Sequence, residues 1–476
     1  MAPEIRLTAE WVAAALAGTI VDGDRRRVFA GVSIDSRTLG AGELYFGIRG
    51  ERFDGADFAD AAVAAGAAGV VVSRQRARTA IAGQRGPHGD STPVTIAVDD
   101  TTVALQALAH AVRVESGAKV IAITGSAGKT TTKEVTAEFL GAKHRVIRNR
   151  GNFNNHIGLP LSLIELTARP DVAVVELGMN HAGEIRTLVR IAEPDVRVWT
   201  NVGDAHVGFF GSVDAIADAK AEILEGATPR TVLVANADDD RITARTSSFA
   251  GRVVTFGIER PAEVRAEAVV DRGIGGVSAR VTTPRGAIDL TTPLVGRGNL
   301  ANVLAAIAVG VECDVPLAAM ADRASRLQPA SHRGEVVRLA KGVVVIDDSY
   351  NASPAATRRA LDVLSVTDRT GRRVAVLGEM LELGDRSIAL HEDVGRAAAA
   401  ASLDLLIAVG GEAAGALTRA AIAGGLSPAR TRHLATSDEA ADASAALIQP
   451  GDLVLVKGSR GVRTDKVVDR LKTEFA

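Results

Sequence analysis

The residue types best suited to chemistry sit in one glycine-rich turn, ITGSAGKTTTKE, Ile123 to Glu134, where an apolar run meets Lys-Thr at the start of a helical pattern. Backbone N–H groups of such a turn, with the N-terminus of the following helix, converge on a phosphate. Lys129 would reach the β/γ-phosphates as a mobile positive charge, and the Thr130 hydroxyl would hold Mg2+. Ile123 stands where the common eight-residue loop has its first glycine, so this is the shorter G-x-x-G-K-T form. With VIAIT before it and a helix after it, the expected ligand is ATP.

Other polar clusters follow apolar strands, which is where ligands gather in a parallel α/β sheet. Glu176 ends DVAVVE, and a carboxylate there suits Mg2+, which keeps several of its waters. TNVGDAH, Thr200 to His206, follows VRVW and offers His206 as a neutral imidazole ligand, against the commoner structural role of a lone loop histidine. Lys220 lies in a helical stretch between Asp218 and Glu222. It is either an exposed helix lysine flanked by carboxylates or a desolvated amine that takes up CO2 as a metal-binding carbamate. Asp347, Asp348, Ser349, Tyr350 and Asn351 follow VVVI, and Pro354 then starts a helix at its first turn. Two adjacent acids after a buried strand need partners, while the cations of Lys457-Gly-Ser-Arg460, after LVLV, could hold a phosphate or carboxylate.

The elements that must carry these residues read as α/β. At 476 residues the chain exceeds one core, and three domains are expected. Residues up to about 115 mix short strands with an Ala-rich helix from Phe58 to Gly66 and a Gly/Pro-rich loop at Ala82 to Thr92. From Lys119 apolar strands alternate with helices, the mark of a parallel sheet. Between about Val253 and Leu294 the pattern alternates as an antiparallel edge does, and Asn299 to Val311 returns to helix. After His332 a second alternating series predicts a Rossmann-like domain.

Composition excludes several classes. A net charge of −2 argues against a general nucleic-acid binder, and the single Cys313 against an internal disulfide framework. No apolar run approaches ~18 residues and no basic region precedes Trp11 to Ala17, so a cytoplasmic protein without signal peptide or membrane span is expected, as a monomer.

Four signatures in order make the chain similar to the Mur ligases, ATP-dependent enzymes that extend the peptide of the cell-wall precursor. They are GSAGKTTTKE, GNFNNHIGLPLSL (Gly151 to Leu163), VELGMNHAGEI (Val175 to Ile185) and TNVGDAHVGFFGSVDAIADAKAEI. DDSYNASP, VLGEMLELG with His391 beyond it, and KGSR resemble the branch that joins D-alanyl-D-alanine to UDP-N-acetylmuramoyl-tripeptide. The D-N-P-R and K-G-x-E motifs of the preceding branch do not occur.

The resemblance implies a UDP-substrate domain at 1–115, a central P-loop ATPase domain with a strand-rich edge at 116–330, and a C-terminal Rossmann-like domain at 331–476 that takes the dipeptide. Hinges would fall near 115 and 330. Ser36 and Arg37, in DSRTLGAGELYFGIRGERFDGADF, would face the uridine diphosphate, with Gly50, Phe53, Asp54 and Gly55 shaping the loop. Asn152, Asn154 and Asn155 would also meet substrate, as would Lys457 and Arg460. Gly125, Ser126, Ala127, Gly128, Lys129, Thr130 and Thr131 would bind ATP. Asn299 would contact adenine, Arg333 would meet the nucleotide, and Asp347 or Asp348 would contact the ribose. Thr130, Glu176, His206 and a carbamylated Lys220 would hold Mg2+, and Tyr350 and Asn351 would lie near the reacting groups. Gly298 departs from the His usual before the adenine Asn, and Ala56 from the usual D-G-H. A kinase or simple NTPase would use the same loop without a uridine-diphosphate domain. A sister ligase taking one amino acid would share the central domain.

Overall fold

The computed structural model describes residues 3–50, 52–77, 92–368 and 371–476. Apart from Thr92, the loop expected at Ala82 to Thr92 lies outside them. The chain divides into two compact units: Met1–Ala122 with His144–Met179 and Gly183–Val196, and Ile123–Lys143 with Asn180–Ala182 and Arg197–Ala476.

In the first unit five strands pair in the order Thr19–Asp22, Val94–Val98, Gly69–Ser73, Leu44–Phe46, Val32–Ser33. The first pair is antiparallel and the others are parallel. Val94–Val98 is buried at every position, as the near-continuous apolar runs of parallel strands require. The helix expected from Phe58 to Gly66 forms over Ala59–Ala64 and is preceded by a 3-10 turn, Gly55–Phe58. The Asp54 side chain accepts from the Ala56 N–H at 3.0 Å and starts the tighter turn. Tyr45 donates its hydroxyl to the Gly55 carbonyl at 2.9 Å, and a Cβ on Gly55 would stand 2.6 Å from the Ile48 backbone, so the loop closes only on glycine. The same unit holds the parallel pair Val146–Arg148 and Val172–Glu176, together with helix Thr101–Ser116, which Asp100 caps and left-handed Gly117 ends.

In the second unit parallel strands Val232–Asn236 and Arg252–Gly257 lead to Val264–Asp271, where pairing turns antiparallel through Val277–Thr283 and Gly286–Thr292. Val277, Ala279 and Val281 are buried between more exposed neighbours, the alternation of a sheet with one wet face. Helix Gly296–Glu312 is largely buried and packs on helix Lys129–Leu140, which opens at the glycine-rich turn.

A second sheet in this unit runs Glu335–Arg338, Val344–Asp348, Leu453–Lys457, Arg373–Gly378, Leu405–Val409, Thr431–Leu434. Only the first pair is antiparallel. The last strand in sequence of this sheet, Leu453–Lys457, sits between two earlier ones, and Lys457 is in register with both Asp348 and Leu377. Such a reversal of strand order opens a crevice at the carboxyl ends. Valine and isoleucine from five of these strands pack with Val467, Val468 and Leu471 of the terminal helix Asp465–Glu474. No helix among the described residues is long and apolar enough to cross a membrane.

His391, in helix Ser387–Ala400, is wholly buried. Its Nε2 accepts from the Met380 N–H at 2.9 Å, and Nδ1 lies 2.7 Å from the Ser387 carbonyl, to which it donates. Burial pushes the imidazole below its ordinary 6.5, outweighing the Ser387 carbonyl and Glu379, which act the other way. The unfolded chain takes the proton first, so stability is expected to fall as pH drops from about 6.5 through the folded-state value. Urea unfolding between neutral and mildly acidic pH should show this loss in the wild type and a shallower one in His391→Gln. Equal slopes would remove His391 as its source.

Candidate active site

The turn after strand Lys119–Thr124 takes two left-handed glycines, Gly125 (φ 154°) and Gly128 (φ 80°). Both are required sterically as well, because a Cβ on Gly125 would strike the Thr200 hydroxyl and one on Gly128 the Asn302 amide. Asn201 holds the turn as a neighbouring strand would. Its carbonyl accepts from Ser126 N–H at 3.0 Å, its Oδ1 from Ala127 N–H at 2.8 Å, and its Nδ2 donates to Ala127 O at 2.9 Å. Thr200 donates its hydroxyl to the same Ala127 carbonyl at 2.9 Å, and Ser126 Oγ accepts from Gly203 N–H at 2.9 Å. Asn302 Oδ1 accepts from the Thr132 hydroxyl at 3.2 Å. Lys129 Nζ donates to the Gly125 carbonyl at 2.9 Å, so the ammonium is folded over the turn. Thr130 and Thr131 follow in the first helical turn.

The sequence pointed to Thr200–His206 only through its histidine. Thr200 and Asn201 act on the turn itself, and they are held in turn by Asn236, which donates to Thr200 O at 2.8 Å, and Asp239, which accepts from Val202 N–H at 2.7 Å. Asn302 was likewise missed. Its only sequence signal was a position three residues after Asn299, on the same helix face.

In the first unit Glu176 ends its strand nearly buried. Its N–H donates to Asn149 Oδ1 at 3.0 Å, and Asn154 donates Nδ2 to its Oε1 at 2.8 Å, joining a predicted substrate residue to a predicted metal ligand. Asn155 Oδ1 accepts from the Ile157 and Gly158 N–H groups just before helix Gly158–Ile164, and Asn152 is exposed. Ser36 is partly buried, and the exposed Arg37 side chain is engaged with Asp35 by Nε–Oδ1 at 2.9 Å and Nη2–Oδ2 at 2.7 Å. That hydrogen bonding holds the Asp35 carboxyl down at about 2.

His206 is left-handed at φ 66° and lies in the second unit, with Nδ1 2.6 Å from Glu382 Oε2. The separation is that of an ion pair, although the approach is too oblique for an aligned hydrogen bond. Lys220, in helix Val213–Ala221, is only 2% exposed, which overturns the reading of an exposed helix lysine. Asp218 turns outward to Arg245 at 2.7 Å, whereas Glu222 is buried. Arg197, from strand Val196–Trp199, donates to the carbonyls of Ile223 and of Glu225, the latter at 2.6 Å, and closes this helical segment. Burial brings the Arg197 guanidinium down to about 10.

At the crevice of the second sheet the two adjacent acids have separate partners. Asp347 is fully buried and accepts from His332 Nδ1 at 2.8 Å and the Ser349 hydroxyl at 2.6 Å. Asp348, more exposed, meets Lys457 Nζ at 2.6 Å, and the same ammonium donates to Asn351 O at 2.9 Å. Lys457 is therefore buried, and the carboxylate it holds is that of Asp348. Arg333 and Arg460 both face the Tyr350 ring, at 4.2 and 5.6 Å from its centroid. Asn299 is anchored by Nδ2 to Val295 O at 2.9 Å and accepts from Asn302 at 3.2 Å. Arg359 Cδ would be 3.4 Å from a Cβ at Gly298, so the guanidine-bearing chain fills the space that a larger residue there would need.

Among the described residues no group of three or more His, Cys, Asp or Glu side chains is placed to hold a metal by itself. Within the second unit Thr130 and His206 offer a hydroxyl and an imidazole, ligand types that suit a Mg2+ arriving on nucleotide phosphates, since that ion takes few protein ligands.

Residues 28–122, 123–310 and 332–460 match, in turn, the models of the Mur ligase family catalytic domain, the Mur ligase middle domain and the Mur ligase glutamate ligase domain. The chain is 32% identical over 468 residues to the UDP-N-acetylmuramoyl-tripeptide--D-alanyl-D-alanine ligase of Bacillus subtilis, spanning 98% of each. A crystal structure of MurF from Acinetobacter baumannii is similar with a TM-score of 0.87 at 31% identity, over 99% of this chain and 100% of that one. The MurF ligase of Thermotoga maritima in complex with ADP is similar with a TM-score of 0.78 at 27% identity, over 94% and 97%.

Asn201→Ala removes two bonds to Ala127 and leaves its partly buried N–H unmatched, while the carbonyl keeps the Thr200 hydroxyl, at a cost of about 1–3 kcal/mol. Calorimetric titration should find nucleotide binding weakened roughly 5- to 100-fold, with the fold intact by circular dichroism. Unchanged affinity would mean that the turn keeps its shape without Asn201.

Proposed function

The chain belongs to the Mur ligase family, and we propose that it joins D-alanyl-D-alanine to UDP-N-acetylmuramoyl-tripeptide with cleavage of ATP to ADP and phosphate, in the cytoplasmic synthesis of peptidoglycan precursor. The observation that carries this reading is full-length likeness to ligases of that specificity. In this reading residues 1–115 hold the uridine diphosphate end of the substrate through Ser36 and Arg37, 116–330 bind ATP, and 331–476 present the dipeptide.

The reaction has two steps. A carboxylate oxygen of the tripeptide attacks the γ-phosphorus of ATP in line, giving an acyl phosphate and ADP. The dipeptide amine then attacks the acyl carbon, phosphate departs from the tetrahedral intermediate, and the amine proton is lost. The turn Gly125–Thr131 cradles the phosphates with backbone N–H groups, and Lys129 leaves the Gly125 carbonyl to follow the charge on the transferring oxygens. Asn299 reads the adenine and Arg333 meets the nucleotide. Because Asp347 is enclosed by His332 and Ser349, Asp348 is the acid that contacts the ribose. Tyr350, Asn351 and Arg460 border the reacting groups, with Lys457 holding Asp348 and Asn351 in place. Asn154 orients Glu176, and Asn152 and Asn155 border the substrate run.

Thr130, Glu176 and His206 are the residues that would hold Mg2+, which when bound neutralises phosphate charge. Lys220 completes the set as a carbamate. Its amine nitrogen adds to CO2 with loss of one proton, and the withdrawal of Lys220 from solvent supports that form. An acyl phosphate is hydrolysed by water, so residues 1–115 and 331–476 are expected to close on the central domain before it forms.

Phosphate release should require the UDP-tripeptide and D-alanyl-D-alanine together and fail when a panel of single amino acids replaces the dipeptide. Sustained phosphate release without the UDP-tripeptide would make the chain a simple NTPase, and a stable phosphorylated product with no amide would make it a kinase. Lys129→Ala should lose phosphate transfer and keep UDP-substrate binding. For the carbamate, Lys220→Ala is expected to lose nearly all turnover and regain part of it with a short carboxylate in solution. Absence of rescue, alongside full wild-type activity in CO2-depleted buffer, would refute the modified lysine.

A further inference from the structure

One contact of the candidate metal ligand His206 is supplied by a distant part of the chain. Glu382 follows strand Arg373–Gly378, within the residues that match the glutamate ligase domain, whereas His206 lies within those that match the middle domain. The approach is built by the backbone as well as by the two side chains. The Glu382 carbonyl accepts from Gly208 N–H at 2.9 Å while its carboxylate reaches His206 Nδ1 at 2.6 Å. Gly208 and Gly384 face each other so closely that a Cβ on Gly208 would stand 2.5 Å from Gly384 N and 2.8 Å from Glu382 O. His206 and Glu382 are both non-glycine residues in the left-handed region, at φ 66° and 65°. Paired outliers of this kind persist only where the surroundings over-determine them, and they concentrate at functional sites.

An imidazole that binds a cation through one nitrogen is commonly fixed by a carboxylate on the other, which sets tautomer and ring orientation. Glu382 engages Nδ1, which leaves Nε2 as the nitrogen for a metal. We propose that Glu382 is a positioning residue that orients His206 toward the divalent cation of the bound nucleotide, so that this ligand is set only while segment Met380–Gly384 is seated on helix Val207–Phe210. The inference rests on the reading of His206 as a metal ligand. It makes the seating of one segment a condition for full metal affinity at another, before any chemistry.

Mn2+ serves as the probe, titrated by electron paramagnetic resonance into the full-length enzyme with a non-hydrolysable ATP analogue. Glu382→Gln, nearly the same shape without the charge, and Glu382→Ala should weaken Mn2+ binding about 10-fold or more. The KM for the UDP-substrate and metal-free analogue binding should stay at wild-type values, which a merely structural role would not spare. Glu382→Ala added to His206→Ala should cost nothing further, since the two act as one unit. Glu382→Gln binding Mn2+ within about twofold of wild type, or full additivity of the two truncations, would overturn the proposal. If His206→Ala itself binds Mn2+ normally, the metal-ligand reading fails. If it weakens binding and neither Glu382 variant does, only the positioning role is lost.

Discussion

The shape of the turn at Gly125–Lys129 is the constraint on which the site depends, and side chains rather than regular secondary structure enforce it. A turn between strand and helix cannot satisfy its own amides, and an unpaired buried one costs about 1–3 kcal/mol. Asn201 answers both groups of Ala127, and Ser126 is bonded through its amide to Asn201 and through its hydroxyl to Gly203. The holding residues are held in turn, as Asn236 and Asp239 from the next strand end fix Thr200 and Val202. Three neighbouring strand ends are thus laced sideways at the carboxyl edge of the sheet. The close approach of Thr200 and Asn302 to the loop backbone leaves no room for a side chain at Gly125 or Gly128.

The second sheet solves a different problem. Its reversed strand order gathers Asp347, Asp348 and Lys457 at one crevice, where unpaired charges would be expensive. Each finds a partner inside the protein: Asp347 takes His332, and Asp348 takes Lys457, which also ties down Asn351. The remaining cations, Arg333 and Arg460, lie over the Tyr350 ring. The crevice is therefore organised without relying on a ligand's charge, and Asp348 stays accessible enough to meet one.

How much of this the sequence could reveal follows from what periodicity and local motifs encode. Buried strands such as Val94–Val98 and Val172–Glu176 are apolar runs, and the antiparallel edge Val277–Thr283 alternates, so the architecture was legible. The turn at Gly125–Lys129 was legible because its chemistry is local. The helix expected from Phe58 was legible to within two residues, and what its composition did not announce is the 3-10 turn before it, which one aspartate side chain, Asp54, starts. The second layer of the site escaped for a different reason. Thr200, Asn201 and Asn302 carry ordinary residue types, and their meaning comes from partners more than seventy residues away. Lys220 shows the same limit, since its flanking carboxylates suggested solvent and only the fold reveals its burial.

Gly208, Gly384, His206 and Glu382 illustrate how long-range fit overrides local preference. Left-handed geometry disfavours histidine and glutamate by roughly 1–2 kcal/mol each, and a Gly is a poor choice inside the short helix Val207–Phe210. Taken segment by segment these are defects. Together they let two backbones approach until Gly208 N–H reaches the Glu382 carbonyl, and they turn an imidazole and a carboxylate toward each other across residues 206 to 382. An isolated surface ion pair would not hold such strain, being worth a few tenths of a kcal/mol to about 1. The backbone bond and the glycine-to-glycine packing must therefore carry the contact, with the imidazole–carboxylate pair as its passenger.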